Sequence, residues 1–366
     1  MRKYRNQILL GLGLAFFIYI ILILFIDNSG QMSGGVSEQL QVFPLWLLVP
    51  LAGMQIIAGV FRFCTWQYYL GVIGARDKIS IMDSAIIFVT GFTFVVSPGK
   101  AAELLKTVLL KFKTGVPIPR SAPIVLAERI VDGLAVIVIM TFTLVIAPDQ
   151  LQLGSYKTIS QLIIFTSAIF MVGGLIVVQI KPLAYFVLNN IITRLPLIKR
   201  LHQPLIEFYE SSREIFNLRH VLPATLFGLG VYLSTSFGLV LVLYGFGLTI
   251  DGTLILQSMF MVGVVSAIGA LSFVPNGAGI SELSNTAMIV AIIVPAHPEI
   301  TPAIAAAASL IQGFFHKWFR VVVGLAVAVI FRNRLFPPEL DAVIEAAEAE
   351  SQAELHPKHA IIKAEG

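Results

Sequence analysis

Three clusters of ionisable residues interrupt sequence that is otherwise apolar. The first is Lys100, Glu103 and Lys106. Glu103 stands three residues from each lysine, so on a helix both cations reach it. Pro98 and Gly99 precede the cluster, and a helix starting there turns free N–H groups and the positive end of its dipole outward. Together these make a site for a phosphate head group; the alternative is a self-neutralised cluster of ions. The second cluster is Glu128, Arg129 and Asp132. Glu128 and Asp132 share a helix face, and Arg129 can pair with Asp132. Such a trio either locks two helices together or offers Glu128 to a cation, Arg129 or a lysine of the first cluster. The third is Gln312, His316 and Arg320, spaced by four and so one helix stripe, with Lys317 beside it and Phe315 and Trp318 flanking it. It follows a polar stretch holding Asn276, Ser281, Glu282 and Asn285. A basic stripe facing these groups suits an anionic lipid or lipid phosphate, although His316 taken alone fits a satisfied interior histidine equally well.

The surroundings make these residues expensive. Of 366 residues, 57% are apolar and 13% charged, and the mean hydropathy is +0.87. Soluble domains carry about 25% charged residues, so the solvent for most of this chain is lipid. Disordered, collagenous and coiled-coil classes are excluded by the same numbers. A charge at bilayer depth costs about 2.5–3.5 kcal/mol on insertion scales, which makes each cluster a functional candidate. One cysteine, Cys64, excludes a disulfide framework and a cysteine-rich metal site. There is no phosphate-binding P-loop, no H-E-x-x-H and no nucleophile elbow. The expectation is no cofactor, no metal, no nucleic-acid partner and no nucleotide-driven pumping.

The elements that must carry the clusters are apolar runs near 20 residues, oriented by keeping Lys and Arg cytoplasmic. Ile8 to Ile26 enters from a basic N-terminus, and Phe43 to Phe63 returns to Arg62, Arg76 and Lys78. Trp66, Tyr68 and Tyr69 fit an interfacial belt. Ile79 to Val96 and Ala101 to Phe112 surround Ser97-Pro98-Gly99 and read as a re-entrant hairpin, because broken backbone survives at membrane depth only inside protein or a wet cavity. Ser121 to Ala147 and Ile159 to Ile180 then cross. Residues 181–220 form a basic amphipathic interfacial segment. Val221 to Leu248 crosses again. A second broken hairpin spans 253–294, with Pro275, Gly277 and Gly279 at its tip, and Ala303 to Phe331 closes the bundle.

The fold class is therefore an all-α polytopic membrane protein of about six full spans and two re-entrant hairpins. Span, hairpin and span occur at 43–147 and again, with opposite sense, at 221–331. Such inverted repeats put a substrate site between the copies. Residues 1–336 form the transmembrane domain and 337–366 an acidic tail; both termini are cytoplasmic in a cell membrane. The net charge of +4 combines +9 over 1–336 (23 basic, 14 acidic) with −5 over 337–366 (2 basic, 7 acidic).

The motifs Ser97-Pro98-Gly99-Lys100-Ala101-Ala102-Glu103-Leu104-Leu105-Lys106, Glu128-Arg129-Ile130-Val131-Asp132 and Pro275-Asn276-Gly277-Ala278-Gly279-Ile280-Ser281-Glu282 come in a familiar order. In them the chain resembles the lysylphosphatidylglycerol synthetase transmembrane-region family over about residues 5–335. That family, also called flippase-like, includes the membrane half of the multiple peptide resistance factor. Ala102 stands where the family usually has glycine, and Lys106 where it often has arginine. The resemblance implies a membrane domain that moves or binds lipids, including aminoacylated phosphatidylglycerol or polyprenyl-linked glycans. The synthetases carry a soluble aminoacyl-transferase domain after this region. About 30 residues follow Arg334 here, fewer than a typical domain, so lipid aminoacylation is not expected.

The leading expectation is a lipid translocase in which Lys100, Lys106 and Arg320 hold phosphate. Glu103, Glu128 and Glu282 would then meet cationic or hydroxyl groups. Two alternatives stay open: an enzyme of lipid or lipid-linked sugar metabolism using the buried carboxylates as acid and base, and a non-catalytic partner of a separate synthetase or glycosyltransferase.

Overall fold

A computed structural model describes residues 35–94, 104–151, 156–191, 201–272, 274, 277 and 279–335. The expected first span Ile8 to Ile26, the first hairpin tip with Lys100 and Glu103, the residues Pro275 and Asn276, and the acidic tail lie outside them.

Among the described residues every regular element is helical. In chain order these are α1 (Val36–Val42), α2 (Leu48–Val72), α3 (Ile81–Thr90), α4 (Leu105–Thr114), α5 (Pro123–Ile146), α6 (Tyr156–Gln179) and α7 (Lys181–Phe186). They continue with α8 (His202–Ile215), α9 (Leu218–Gly245), α10 (Gly252–Leu271), α11 (Ile280–Ile292), α12 (Pro302–Gly313) and α13 (Arg320–Ile330). A π-helical stretch, Phe314–Phe319, joins the last two into one long helix.

Local chemistry sets several of these boundaries. Ser80 accepts a hydrogen bond from the Asp83 N–H at 3.1 Å and starts α3. Asp251 accepts from the Leu254 N–H at 2.7 Å and starts α10. Thr301 caps α12 in the same way, with Pro302 at its first position. Each such cap contributes about 1 kcal/mol. The helix α4 stops at Gly115, whose φ of 72° is left-handed, a conformation glycine adopts without a steric penalty.

Among the described residues six helical stretches are long and apolar enough to cross a bilayer: Leu45–Val72, Ile118–Ile146, Ser160–Gln179, Leu218–Gly245, Gly252–Leu271 and Pro302–Ile330. Their outer faces are apolar, as at Val145, Phe170, Leu226 and Val329, all highly exposed, which is how a lipid-facing surface reads. The protein is a multi-pass membrane protein. Five of the stretches match expected spans. The sixth, α10, is the first limb of the expected second hairpin, and its 20 residues extend about 30 Å, a full hydrocarbon thickness. By contrast α3 and α11, of 10 and 13 residues, reach only about 15–20 Å.

The core is built around α2 packed on α9, with α5 against α9 and α10. At the α5–α9 crossing a Cβ on Gly228 would lie 2.9 Å from the Val131 side chain and 3.2 Å from the Val131 carbonyl. Only a residue without a side chain permits that approach. A long helix, two shorter ones and a long helical stretch follow one another in α2–α5 and again in α9–α13. The helix α5 packs on α10, and α13 packs on α3 and the turn after it.

Two expectations need correction here. The second span does not end near Phe63: α2 runs on to Val72, so Arg62 is within the helix rather than waiting at its cytoplasmic end. Trp66 and Tyr69, expected to face the membrane surface, have their side chains completely buried inside the protein, because α3, α4 and α9 cover this part of α2.

Candidate functional site

The charged clusters assemble into two closed ion pairs and a group of guanidiniums about Asp132. The first pair joins α4 to α5. Lys106 donates to Glu128 Oε2 at 2.7 Å, and both residues are buried. The lysine stem runs over Gly91, where a Cβ would come within 2.7 Å of it. Its ammonium lies 5.0 Å from the centre of the Trp66 ring and 5.4 Å from that of Phe88, within cation–π range. The Trp66 indole N–H donates to Ser84 Oγ at 3.0 Å, which holds the ring in place.

The second pair joins α11 to the π-helical stretch. Lys317 donates to both Glu282 oxygens, at 2.9 and 3.0 Å, and to the Gly277 carbonyl at 3.1 Å. Glu282 Oε2 also accepts from the Gly279 N–H at 2.8 Å, which satisfies one of the free donors at the start of α11. Gly277 and Gly279 have φ of 60° and 81°, so the turn that aims these backbone groups needs glycine at both places. In the first pair the lysine is on α4 and the carboxylate on α5; in the second the carboxylate is on α11 and the lysine on the π-helical stretch.

The third group gathers residues of α2, α5 and α13. Arg62 on α2 donates through Nη1 to both Asp132 oxygens, at 3.0 and 2.8 Å. Arg129, one turn before on α5, reaches Asp132 Oδ2 at 3.3 Å, as its i,i+3 spacing predicts. Arg320 at the start of α13 is close enough to interact electrostatically with Arg62, Arg129, Asp132 and Tyr232. Its guanidinium sits over the Phe92 ring at 5.8 Å. Among the described residues no carboxylate lies within salt-bridge distance of Arg320. The guanidiniums of Arg62, Arg129 and Arg320 are thus gathered about the Asp132 carboxylate. His316 is also within electrostatic reach of Arg62 and Arg320.

Beside this group is a cavity of about 40 Å³ between α9, α10, α11 and α12, lined by Ser266, Asn285, Gln312, His316 and the Glu282–Lys317 pair among others. That is room for about three waters. Gln312, His316 and Arg320 do share one side of the last helix, as their spacing predicts, and that side faces α2 and α9: Gln312 donates to the Thr235 carbonyl at 3.0 Å. Asn285 and Glu282 face the cavity from α11. Lys106 and Glu128 are brought together, one of the pairings left open for Glu128. Lys100, Glu103, Asn276, Pro98, Gly99 and Pro275 lie outside the described residues.

Sequence reasoning missed Arg62, Trp66 and Tyr232, and gave Lys317 no role. The available signal for Arg62 was an arginine inside an apolar stretch that continues as far as Val72. For Lys317 it was the glutamate in the preceding hairpin, which needs a cation once buried. Among the described residues no three His, Cys, Asp or Glu side chains are grouped to hold a metal.

Crossing helices with ion pairs buried among them define a polytopic membrane protein with an internal polar cluster. The model of one family, described as the lysylphosphatidylglycerol synthase transmembrane region, matches residues 8–324. The chain belongs to that family, and with it to membrane proteins of lipid metabolism or transport. Comparison with curated proteins gave no match, and comparison with solved structures gave none either.

Proposed function

We propose that the protein is a flippase-like lipid translocase that takes the phosphate of a lipid head group between its two halves. In this reading 43–147 and 221–331 are inverted repeats whose hairpins enter the membrane from opposite sides. The protein lies in the cell membrane with both termini cytoplasmic. A single observation carries the proposal: Arg320 stands beside Arg62 and Asp132 with no carboxylate of its own within salt-bridge distance among the described residues. A buried guanidinium is costly unless an anion neutralises it, and arginine forks fit phosphate oxygens in pairs. Lys106 and Lys317 are poorer candidates for phosphate, since each is already held by a carboxylate. Arg320, with none, is the first choice, and Lys100 next to the first break is a further contributor.

The test is transbilayer movement of a fluorescent anionic phospholipid in liposomes containing the purified protein. Arg320→Gln is expected to slow movement at least tenfold, and Arg320→Lys to restore part of it. Movement at the wild-type rate in Arg320→Gln would overturn the phosphate site. Lipid turned over to a new product by the purified protein would replace transport with catalysis.

A further inference from the structure

Both buried ion pairs are closed as charges, yet their carboxylates are not held alike, and the difference bears on what drives transport. We infer that Glu128 is a proton-binding site, and that a proton on it releases Lys106 to the lipid phosphate, so that one proton and one anionic lipid cross together. The coupling rests on the phosphate reading above and supplies its energy source.

Both Glu282 oxygens accept hydrogen bonds, Oε1 from Lys317 and Oε2 from Lys317 and the Gly279 N–H. Glu128 is tied at one oxygen only. Its Oε2 accepts from Lys106, whereas Oε1 is buried with no hydrogen-bond partner. Its side chain is 9% exposed, so bulk solvent does not complete the set. A charged oxygen left bare in such a place is costly, and a proton is the smallest ligand that satisfies it. The Tyr69 hydroxyl is a second buried group with no hydrogen-bond partner, close enough to Glu128 to interact with it electrostatically. A phenol both donates and accepts, which suits either protonation state of its neighbour.

Among the described residues the ionisable groups beside Glu128 are Lys106 from α4 and Tyr69 from α2. One turn further along α5, Asp132 has Arg62 of α2, Tyr232 of α9 and Arg320 of α13 around it, and Arg129 also reaches it. On α8, Tyr209 interacts with Glu210 and Arg213. The helix α10 carries no ionisable residue, and those of α6 stand in its first turn. Lys106 is therefore neutralised only while Glu128 is ionised. Once Glu128 is protonated, the ammonium keeps the Trp66 and Phe88 rings but has no counter-charge, and a buried ion without one is costly. A lipid phosphate restores the balance. Phosphate and proton thus favour each other's binding by the same factor. The proton comes from water on the side where the lipid loads, makes the O–H bond of Glu128, and returns to water on the other side as Lys106 regains its partner.

The experiment uses the full chain in liposomes with a trace of fluorescent phosphatidylglycerol, whose phosphodiester stays ionised throughout. A pH gradient is imposed with the membrane potential clamped at zero, and the steady-state distribution of the lipid between the leaflets is read by chemical quenching. Coupling of one proton to one lipid shifts that distribution toward the alkaline side by about tenfold per pH unit. The wild type is expected to show the shift and protein-free liposomes are not. Glu128→Gln is expected to lose it, and Glu128→Asp to keep part of it; melting of each variant checks that it folds. A wild type that moves the lipid but ignores the gradient, or a Glu128→Gln variant that responds like the wild type, would overturn the inference and leave the phosphate site standing. So would a folded Glu128→Gln variant that moves no lipid under either condition, because Glu128 would then be a structural tie. If the wild type itself moves no lipid, the phosphate reading falls as well.

Discussion

Replacing Glu282 by glutamine keeps the shape of the side chain and an oxygen able to accept from the Gly279 N–H, yet removes the charge that Lys317 faces. The two residues are 3% and 4% exposed in their side chains and 2.9 Å apart. At that distance and an effective dielectric near 20 the attraction is about 6 kcal/mol. Part of this only offsets the cost of taking both ions out of water. The cap hydrogen bond, worth about 1 kcal/mol, survives in the glutamine variant, so the loss comes from an ammonium left with the Gly277 carbonyl and a neutral amide. Removing one partner of a buried pair costs about 3–5 kcal/mol. With about 2 °C lost per kcal/mol in a large chain, the melting temperature of the detergent-purified protein should fall by about 6–10 °C. Lys317→Met should fall comparably, because it strands Glu282. The double variant Glu282→Gln/Lys317→Met buries no charge and should recover at least half of either loss. Fluorescence-monitored melting of the four proteins measures the coupling directly. Single variants melting within a degree of the wild type, or a double variant showing the plain sum of both losses, would refute the view that this pair ties the second hairpin to the last helix.

Three other outcomes follow from the same geometry. Lys106→Met should lower the melting temperature, and adding Glu128→Gln should restore much of it, because the first pair is as closed as the second. Gly324→Ala should destabilise by about 1–3 kcal/mol, seen as a lower melting temperature, since the new Cβ would meet the Val89 carbonyl at 2.8 Å and the Thr93 backbone nitrogen at 2.9 Å. Outside the six crossing helices, the Arg334 guanidinium donates to Asp83 at 2.7 Å. That bond is the main cause holding the Asp83 carboxyl below its ordinary value; burial opposes it, and Ser80 and Lys113 add to it. A lowered carboxyl stabilises fully above the usual aspartate value near 4 and stops doing so as pH falls through its lower folded value. Wild type should therefore melt above Asp83→Asn at neutral pH, the gap closing only in acid below about pH 4.

The residues that proved central were partly legible in advance. Arg129 meets Asp132 because helix spacing alone brings them together. Glu128 does find a lysine of the first cluster, one of the two readings left open for it. The role of Arg62 was not legible, because its carboxylate is 70 residues away and nothing local marks the approach of α2 to α5. The last helix shows the same limit. Spacing by four put Gln312, His316 and Arg320 on one side, whereas Lys317 became the buried partner of Glu282 only through the packing of α11.

What the sequence determined by itself is what depends on neighbours along the chain. Apolar runs near the thickness of a bilayer make crossing helices, glycines and proline stop them, and caps such as Ser80, Asp251 and Thr301 start them. Intrahelical hydrogen bonds satisfy the backbone in lipid without reference to the rest of the protein, so the helical class and the crossing stretches were readable from one strand of text. The tertiary structure decided which charges remain available. Lys106 and Lys317 look as suitable for an anion as Arg320 does in the sequence, and two of the three are neutralised by carboxylates from other helices. A buried charge takes its character from whatever is packed within a few ångströms, and only the folded chain specifies those neighbours.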